Sequence, residues 1–294
     1  MRVVGMRRLM AAGKESPMIC RREALGEVAM LGFLALVDAR LTWAAAPAPV
    51  RSAGPVRGAL LIIGGGERGT GIQNAAIRLG GQPSRWVFIP TAMSDVELAQ
   101  AEPPAFIRRS GGTLTVLHTR DRKVADSEAF TAPLRAATAV FIDGGRQWRL
   151  VDAYKGTRTE TELRAVLDRN GLISGSSAGA TIQGSYLIRG SPQSNRILMA
   201  PGYERGFGYL SNVAIDQHVT QRGRERDLSV VVAAHPGLLG IGIDESTALI
   251  VQGNTMTVIG RGMVRITDGT EHDGAPFYTL RPGARFDLAS WQIQ

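Results

Sequence analysis

One stretch, Gly171-Leu-Ile-Ser-Gly-Ser-Ser-Ala-Gly-Ala180, constrains the fold more than any other part of the chain. Apolar Leu172-Ile173 runs into a cluster of glycine and serine, and Ala178-Gly-Ala-Thr-Ile-Gln183 leaves it with helix-compatible residues. Gly175-Ser-Ser-Ala-Gly179 fits G-x-S-x-G, a strand-to-helix elbow that lifts a serine hydroxyl above a sheet edge. Glycine suits this turn because its backbone is crowded and often needs φ > 0. The helix that follows aims its first N–H groups at the serine, where an oxyanion would form. On this pattern alone Ser176 and Ser177 are both eligible, and a plain turn of small residues competes with a nucleophile.

The surrounding pattern is α/β. Ala59–Ile63, Trp86–Ile89, Leu114–Leu117 and Ala137–Ile142 read as short buried strands. Ile72–Leu79, Val96–Ser110 (apart from Pro103-Pro104) and Thr159–Asn170 read as helices. This alternation predicts a mostly parallel sheet with helices on both faces. Beyond the elbow, Asn212–Ile215 reads as a strand running into Asp216-Gln-His218, Arg226–Ala234 as a helix, and Gly240–Glu245 as a strand end. Ala248–Ile266 alternates apolar and polar residues, with a hairpin turn expected at Gly253-Asn254. With no internal repeat and no linker after residue 55, residues 55–294 read as a single α/β domain with a β-hairpin C-terminal part.

Residues 1–50 differ. Arg21-Arg22 follows a basic lead, an apolar run spans Val28 to Val37, and small residues and prolines follow from Ala44 to Pro49. That order predicts an export signal of twin-arginine type, and hence a periplasmic or secreted protein; the alternative is a disordered extension on a cytoplasmic one. The apolar run is too short to insert stably in a membrane.

Composition removes several classes. The chain has 294 residues and a net charge of +8. No dense block of Lys and Arg is interleaved with aromatics, which argues against nucleic acid as a partner. The single cysteine, Cys20, excludes an internal disulfide and a cysteine-based metal site. Gly64-Gly-Gly-Glu-Arg-Gly69 fits G-x-G-x-x-G after a strand, but the next strand ends in Ile89-Pro-Thr-Ala92 without the acid a dinucleotide ribose requires. A glycine turn at the sheet edge is the expectation there.

Of the four histidines, His118, His218, His235 and His272, His218 has the most suggestive neighbours: Asp216, Gln217, Arg222 and Arg224. Ligands in open parallel sheets bind beyond the carboxyl ends of strands, so Ser177, His218 and Glu245 can converge. Glu245 is the natural carboxylate to orient the imidazole, while its neighbour Asp244 competes for that role.

Taken together, Gly175–Ala180, Asp216-Gln-His218 with Arg222-Gly-Arg224, and Gly242-Ile-Asp-Glu-Ser-Thr-Ala248 resemble the cyanophycinase branch of the serine peptidases, which includes the aspartyl dipeptidases. Gly64–Glu67 and Asp143-Gly-Gly-Arg-Gln147 are similar to that family's glycine turns. The likeness spans roughly residues 57–260. It implies a three-layer α/β/α fold related to class I glutamine amidotransferases, a homodimer, and a peptide or polymer substrate with aspartyl residues, with no cofactor and no metal. Mapped by motif, it implies a catalytic triad of Ser177, His218 and Glu245, an oxyanion hole from the N–H groups of Ala178, Gly144 and Gly145, and substrate contacts from Gln147, Asp216, Gln217, Arg222 and Arg224. One departure stands out. Cyanophycin-cleaving members tend to carry another arginine where this chain has Asp227, which leaves the substrate, more than the reaction, to be decided by the 222–227 loop.

Overall fold

The structure, a computed structural model, describes residues 51–294. Five short strands of mostly branched and aromatic residues form its centre: β1 (Ala59–Ile63), β2 (Arg85–Ile89), β3 (Thr113–Val116), β4 (Ala139–Ile142) and β5 (Leu172–Ser176). They run parallel in the spatial order β1-β5-β4-β2-β3. Every residue of β1, β4 and β5 is buried, as expected of parallel strands covered on both faces.

Alternate residues of each strand feed different layers. Leu61, Ile63, Phe88 and Phe141 pack with α1 (Thr70–Leu79) and with Phe106 and Ile107 of α3 (Ala105–Arg109), which follows the short α2 (Asp95–Leu98). Leu60, Ile62, Val87, Ile89, Val140 and Ile142 face the other way. They pack against α4 (Arg122–Ala125), α5 (Glu128–Ala136), α6 (Gln147–Tyr154), α7 (Arg158–Asp168) and α8 (Ala178–Thr181). The result is a three-layer α/β arrangement. The stretch expected as one helix from Val96 is two short helices, α2 and α3, on either side of Pro103-Pro104. Proline there removes an N–H donor and disfavours helix in the residue before it.

The chain after the elbow builds more than a hairpin. β6 (Gly184–Tyr186), β7 (Leu210–Gln217) and β8 (Leu239–Ile243) are parallel and belong to a second sheet, with α9 (Asp227–Ala234) between β7 and β8. The antiparallel hairpin β9 (Thr247–Gln252) and β10 (Thr255–Gly260) instead extends the first sheet beside β1. Its two-residue turn is Gly253-Asn254, as the pattern predicts. β11 (Val264–Thr267) and β12 (Tyr278–Leu280) complete the second sheet, and β13 (Arg285–Asp287) and β14 (Gln292–Ile293) complete the first. One continuous core joins both sheets, since Val213, Ile215, Leu239 and Ile241 pack into the cluster that holds Leu60 and Ile62.

The two sheets meet at the carboxyl end of β1. Gly64 N–H donates to Thr247 O at 2.9 Å, His218 N–H to Gly64 O at 3.0 Å, and Ser246 N–H to Gly65 O at 2.9 Å. These bonds bring the ends of β1, β7 and β8 to one point. The export expectation for residues 1–50 lies outside the described residues.

Candidate active site

The elbow is built as the sequence predicts, and it is strained. Ser177 has φ 53° and ψ −110°, a backbone conformation that L-residues avoid. Three backbone bonds at 3.0 Å hold it: Ser177 N–H donates to Ile63 O, and Ser177 O accepts from Ala180 and Thr181. A Cβ at Gly175 would lie 2.1 Å from Gly179 O, so the strand and the departing helix can approach this closely only through glycine. Ser177 thus stands half-buried at the N-terminus of α8, while Ser176 remains in β5 and is buried.

His218 follows β7 and Glu245 follows β8, each one or two residues past its strand end. His218 Nε2 lies 2.9 Å from Ser177 Oγ. His218 Nδ1 lies 2.5 Å from Glu245 Oε1. Asp244 turns away: its carboxylate accepts from Thr220 N–H at 3.0 Å and from Arg265 at 2.8 Å. Burial is the main cause of a lowered His218 pKa; the Glu245 hydrogen bond opposes it, and the nearby Arg222 and Arg224 charges reinforce it. The imidazole is therefore neutral at pH 7. A neutral imidazole between a hydroxyl and a carboxylate can take the hydroxyl proton, with the carboxylate fixing its tautomer.

The Gly64–Gly66 turn, the lone match to a dinucleotide motif, is the floor under this chain of groups. Gly65 has φ 113°, and a Cβ there would lie 2.1 Å from His218 Cε1. A Cβ at Gly66 would meet Glu245 Cβ at 2.8 Å.

The expected oxyanion donors divide. Ala178 N–H and Gly145 N–H have no hydrogen-bond partner among the described residues. Gly144 lies against Ser177, its ideal Cβ 3.3 Å from Ser177 Cβ, but its N–H already donates to Asp143 Oδ1 at 2.8 Å. Asp143 is in turn paired with Arg68 at 2.9 Å. Gly144 is therefore corrected from an oxyanion donor to a spacer.

A cleft of about 420 Å³ opens at Ser177 and is lined by four of the expected residues, Gly145, Gln147, Gln217 and Arg222. Asp216 and Arg224, expected as substrate contacts, are not in its wall. Asp216 is fully buried and is gripped by Arg189, whose Nε and Nη2 donate at 3.0 and 2.9 Å. Arg224 is buried too and donates to Gln217 O at 3.1 Å. Both are corrected to structural supports of the strand end that carries Gln217 and His218.

Several residues of the site were missed. Arg189 is one, and a charged residue directly after the apolar run Tyr186–Ile188 was its signal. Arg189 also binds Asp227 Oδ2 at 2.5 Å, so the acid at the departing position neutralises a buried cation. Arg146 and Arg149 line the cleft from the start of α6, as do Ser94 and Glu97 from the start of α2. The Ser94-x-x-Glu97 spacing is a capping box, legible by pattern, and both of its bonds form.

Comparison with known proteins places these features in context. The model of Peptidase family S51 matches residues 60–259. A cyanophycinase of Trichormus variabilis is 32% identical over 225 residues, covering 72% of this chain and 74% of that one. A cyanophycinase of Synechococcus elongatus is 33% identical over 222 residues, covering 72% and 68%. Among solved structures, a peptidase from an acI-B1 Actinobacterium aligns with a TM-score of 0.62 over 80% of this chain and 98% of its own; at 23% identity that likeness concerns the fold alone.

Proposed function

This chain belongs to peptidase family S51 and is a serine-type peptidase, and from that premise we propose that it hydrolyses cyanophycin, releasing β-aspartyl-arginine dipeptides as an exopeptidase. The observation that carries the reading is the hydrogen-bonded series Ser177–His218–Glu245 at the mouth of a cation-lined cleft.

In this reading Ser177 Oγ attacks the scissile carbonyl carbon while His218 Nε2 accepts the hydroxyl proton. Glu245 stabilises the imidazolium that results. The tetrahedral oxyanion is held by the free N–H groups of Ala178 and Gly145, where losing one donor typically costs about 2.7–4 kcal/mol of barrier. His218 returns the proton to the departing amine. Water, deprotonated by His218, then cleaves the acyl-serine. Arg222 and the Gln147 and Gln217 amides hold the substrate beside the nucleophile. Export of the chain and a homodimeric state complete the proposal, to be read from fractionation of the native host and from sedimentation.

The test is clearance of insoluble cyanophycin by purified protein, with identification of the dipeptide released. Ser177→Ala is expected to abolish clearance and Ser176→Ala to retain it. Full activity in Ser177→Ala would remove the nucleophile assignment. A second reading, a peptidase for other aspartyl peptides, is favoured by Asp227 being engaged with Arg189. α-Aspartyl dipeptides assayed beside cyanophycin separate the two.

A further inference from the structure

The cleft beside Ser177 carries more positive charge than the triad or the Arg222 loop accounts for. Arg146, the extended residue that immediately precedes α6, and Arg149, in the first turn of α6, both line the cleft with Ser177. Neither forms an ion pair among the described residues. Arg146 donates from Nη2 to Ser191 O at 2.7 Å, and its buried Nε has no partner. Arg149 donates from Nη1 to Ala92 O at 2.9 Å. Burial, followed by the charge of Arg120, lowers the Arg149 pKa; Glu97 opposes the shift, Arg146 adds to it, and Asp95 opposes it more weakly. Among the described residues lining the cleft, Glu97 is the sole acid, and Ser94 N–H and Oγ–H already donate to its carboxylate at 2.6 and 2.7 Å.

A second feature of the same wall also calls for a ligand. Gln217 is only 4% exposed, and its Oε1 is buried without a donor. A buried acceptor left unpaired costs free energy, and a substrate N–H that reached this atom would remove that cost. A peptide offers both complements at once: an amide N–H for Gln217 and a carboxylate for the arginines. Guanidinium groups are well matched to a carboxylate because their fixed fork donates two parallel hydrogen bonds.

We propose that Arg146 and Arg149 form a carboxylate-binding subsite in the Ser177 cleft, at the start of α6 and separate from the Arg222 loop, which makes a free substrate carboxylate a requirement for efficient cleavage. The inference rests on the peptidase reading above and adds the group that is recognised. In an aspartyl polymer with arginine branches, that carboxylate has two sources: the α-carboxylate of the branch arginine, or the carboxyl terminus of the main chain.

The experiment uses the full chain and three synthetic peptides. The parent is a short poly-aspartate with arginine on each side chain. The second carries agmatine in place of the arginine, which deletes the branch carboxylate and keeps the guanidinium. The third is the parent with an amidated carboxyl terminus. Wild-type kcat/KM is expected to fall about 10- to 100-fold for one of the two altered peptides, the usual loss for a charge-assisted hydrogen bond. Loss confined to the agmatine peptide assigns the branch; loss confined to the amide assigns the main-chain terminus. Arg146→Gln and Arg149→Gln should raise KM for the parent by a similar factor while leaving the poor peptide nearly unaffected, and a lysine at either position should recover part of the loss. Thermal melts of the variants establish that they are folded. Equal kcat/KM for all three peptides overturns the subsite and leaves the peptidase reading standing. A parent peptide that is not cleaved overturns the substrate reading, and the subsite with it.

Discussion

Gly65 lies so close to His218 that a methyl group on its Cα would sit 2.1 Å from the imidazole Cε1. The glycine turn after β1 therefore sets where the base can stand. Gly65→Ala is expected to push the ring off the Ser177 hydroxyl and to lower kcat about 100-fold, the order of loss for a displacement near 1 Å. The alanine also meets a backbone φ of 113°, so some stability is lost as well. Single-turnover rates beside a thermal melt separate the two effects. A folded variant with unchanged kcat would show that the turn does not position the base.

The acid limb of the pH profile should lie below the ordinary imidazole value of 6.5. Burial first, and then the Arg222 and Arg224 charges, lower the His218 pKa against the opposing bond from Glu245. Catalysis needs the neutral ring, so kcat/KM falls on the acid side as the ring protonates, with a midpoint below 6.5. Arg222→Gln removes one of the lowering charges and should move the midpoint upward. Glu245→Gln removes the raising partner and should move it downward. A wild-type midpoint above 6.5 would contradict the buried, neutral His218 of this site.

Neighbouring acids should respond in different assays. Burial by itself would raise the Asp244 carboxyl, but hydrogen bonds from Thr220 and Met263 and the Arg265 charge outweigh it and hold the pKa below the usual 3.8. A group with a depressed folded pKa stabilises the fold above its unfolded value, and that stability is lost as pH falls through the lowered one. Asp244→Asn should therefore cost about 1.5–3 kcal/mol in denaturant melts near pH 7, with the gap to wild type closing below pH 3.8. Turnover by the folded fraction should change little. Glu245→Gln should reverse this, with near-normal stability and a loss in kcat approaching about 10⁴-fold.

The elbow and the central sheet were legible because their physics is local. Five-residue apolar runs such as Ala59–Ile63 have nowhere to go but a covered strand, and Gly175–Gly179 can make few other turns. The second sheet was harder to see. β7 mixes exposed Ser211 with fully buried Asp216, so neither alternation nor a continuous apolar run marks its length. Asp216 can be buried because Arg189, 27 residues earlier, and Arg224 both reach its carboxylate. Sequence proximity grouped Asp216, Arg222 and Arg224 as one ligand-facing set; the fold turns Arg222 to the cleft and puts the other two inside. Arg146 lay inside a glycine turn that gave it no role, and Arg149 carried no signal until the turn and the start of α6 placed both beside Ser177.

That buried network makes Asp227 more than a missing arginine. Two cations, Arg189 and Arg224, are matched there by two acids, Asp216 and Asp227. Asp227 also begins α9, where a negative charge suits the helix N-terminus. Asp227→Asn should cost about 1 kcal/mol, a modest figure because the Asp227 side chain is 35% exposed and its ion pair is partly screened. Asp227→Arg leaves three cations around one buried carboxylate and should cost more, about 2–3 kcal/mol, which lowers the melting temperature by roughly 4–12 °C for a domain of this size. Arg189→Met in the same background relieves the repulsion and should recover part of the loss. An Asp227→Arg protein that melts with wild type, and that gains activity on cyanophycin, would place residue 227 in substrate choice and not in the support of the His218 strand.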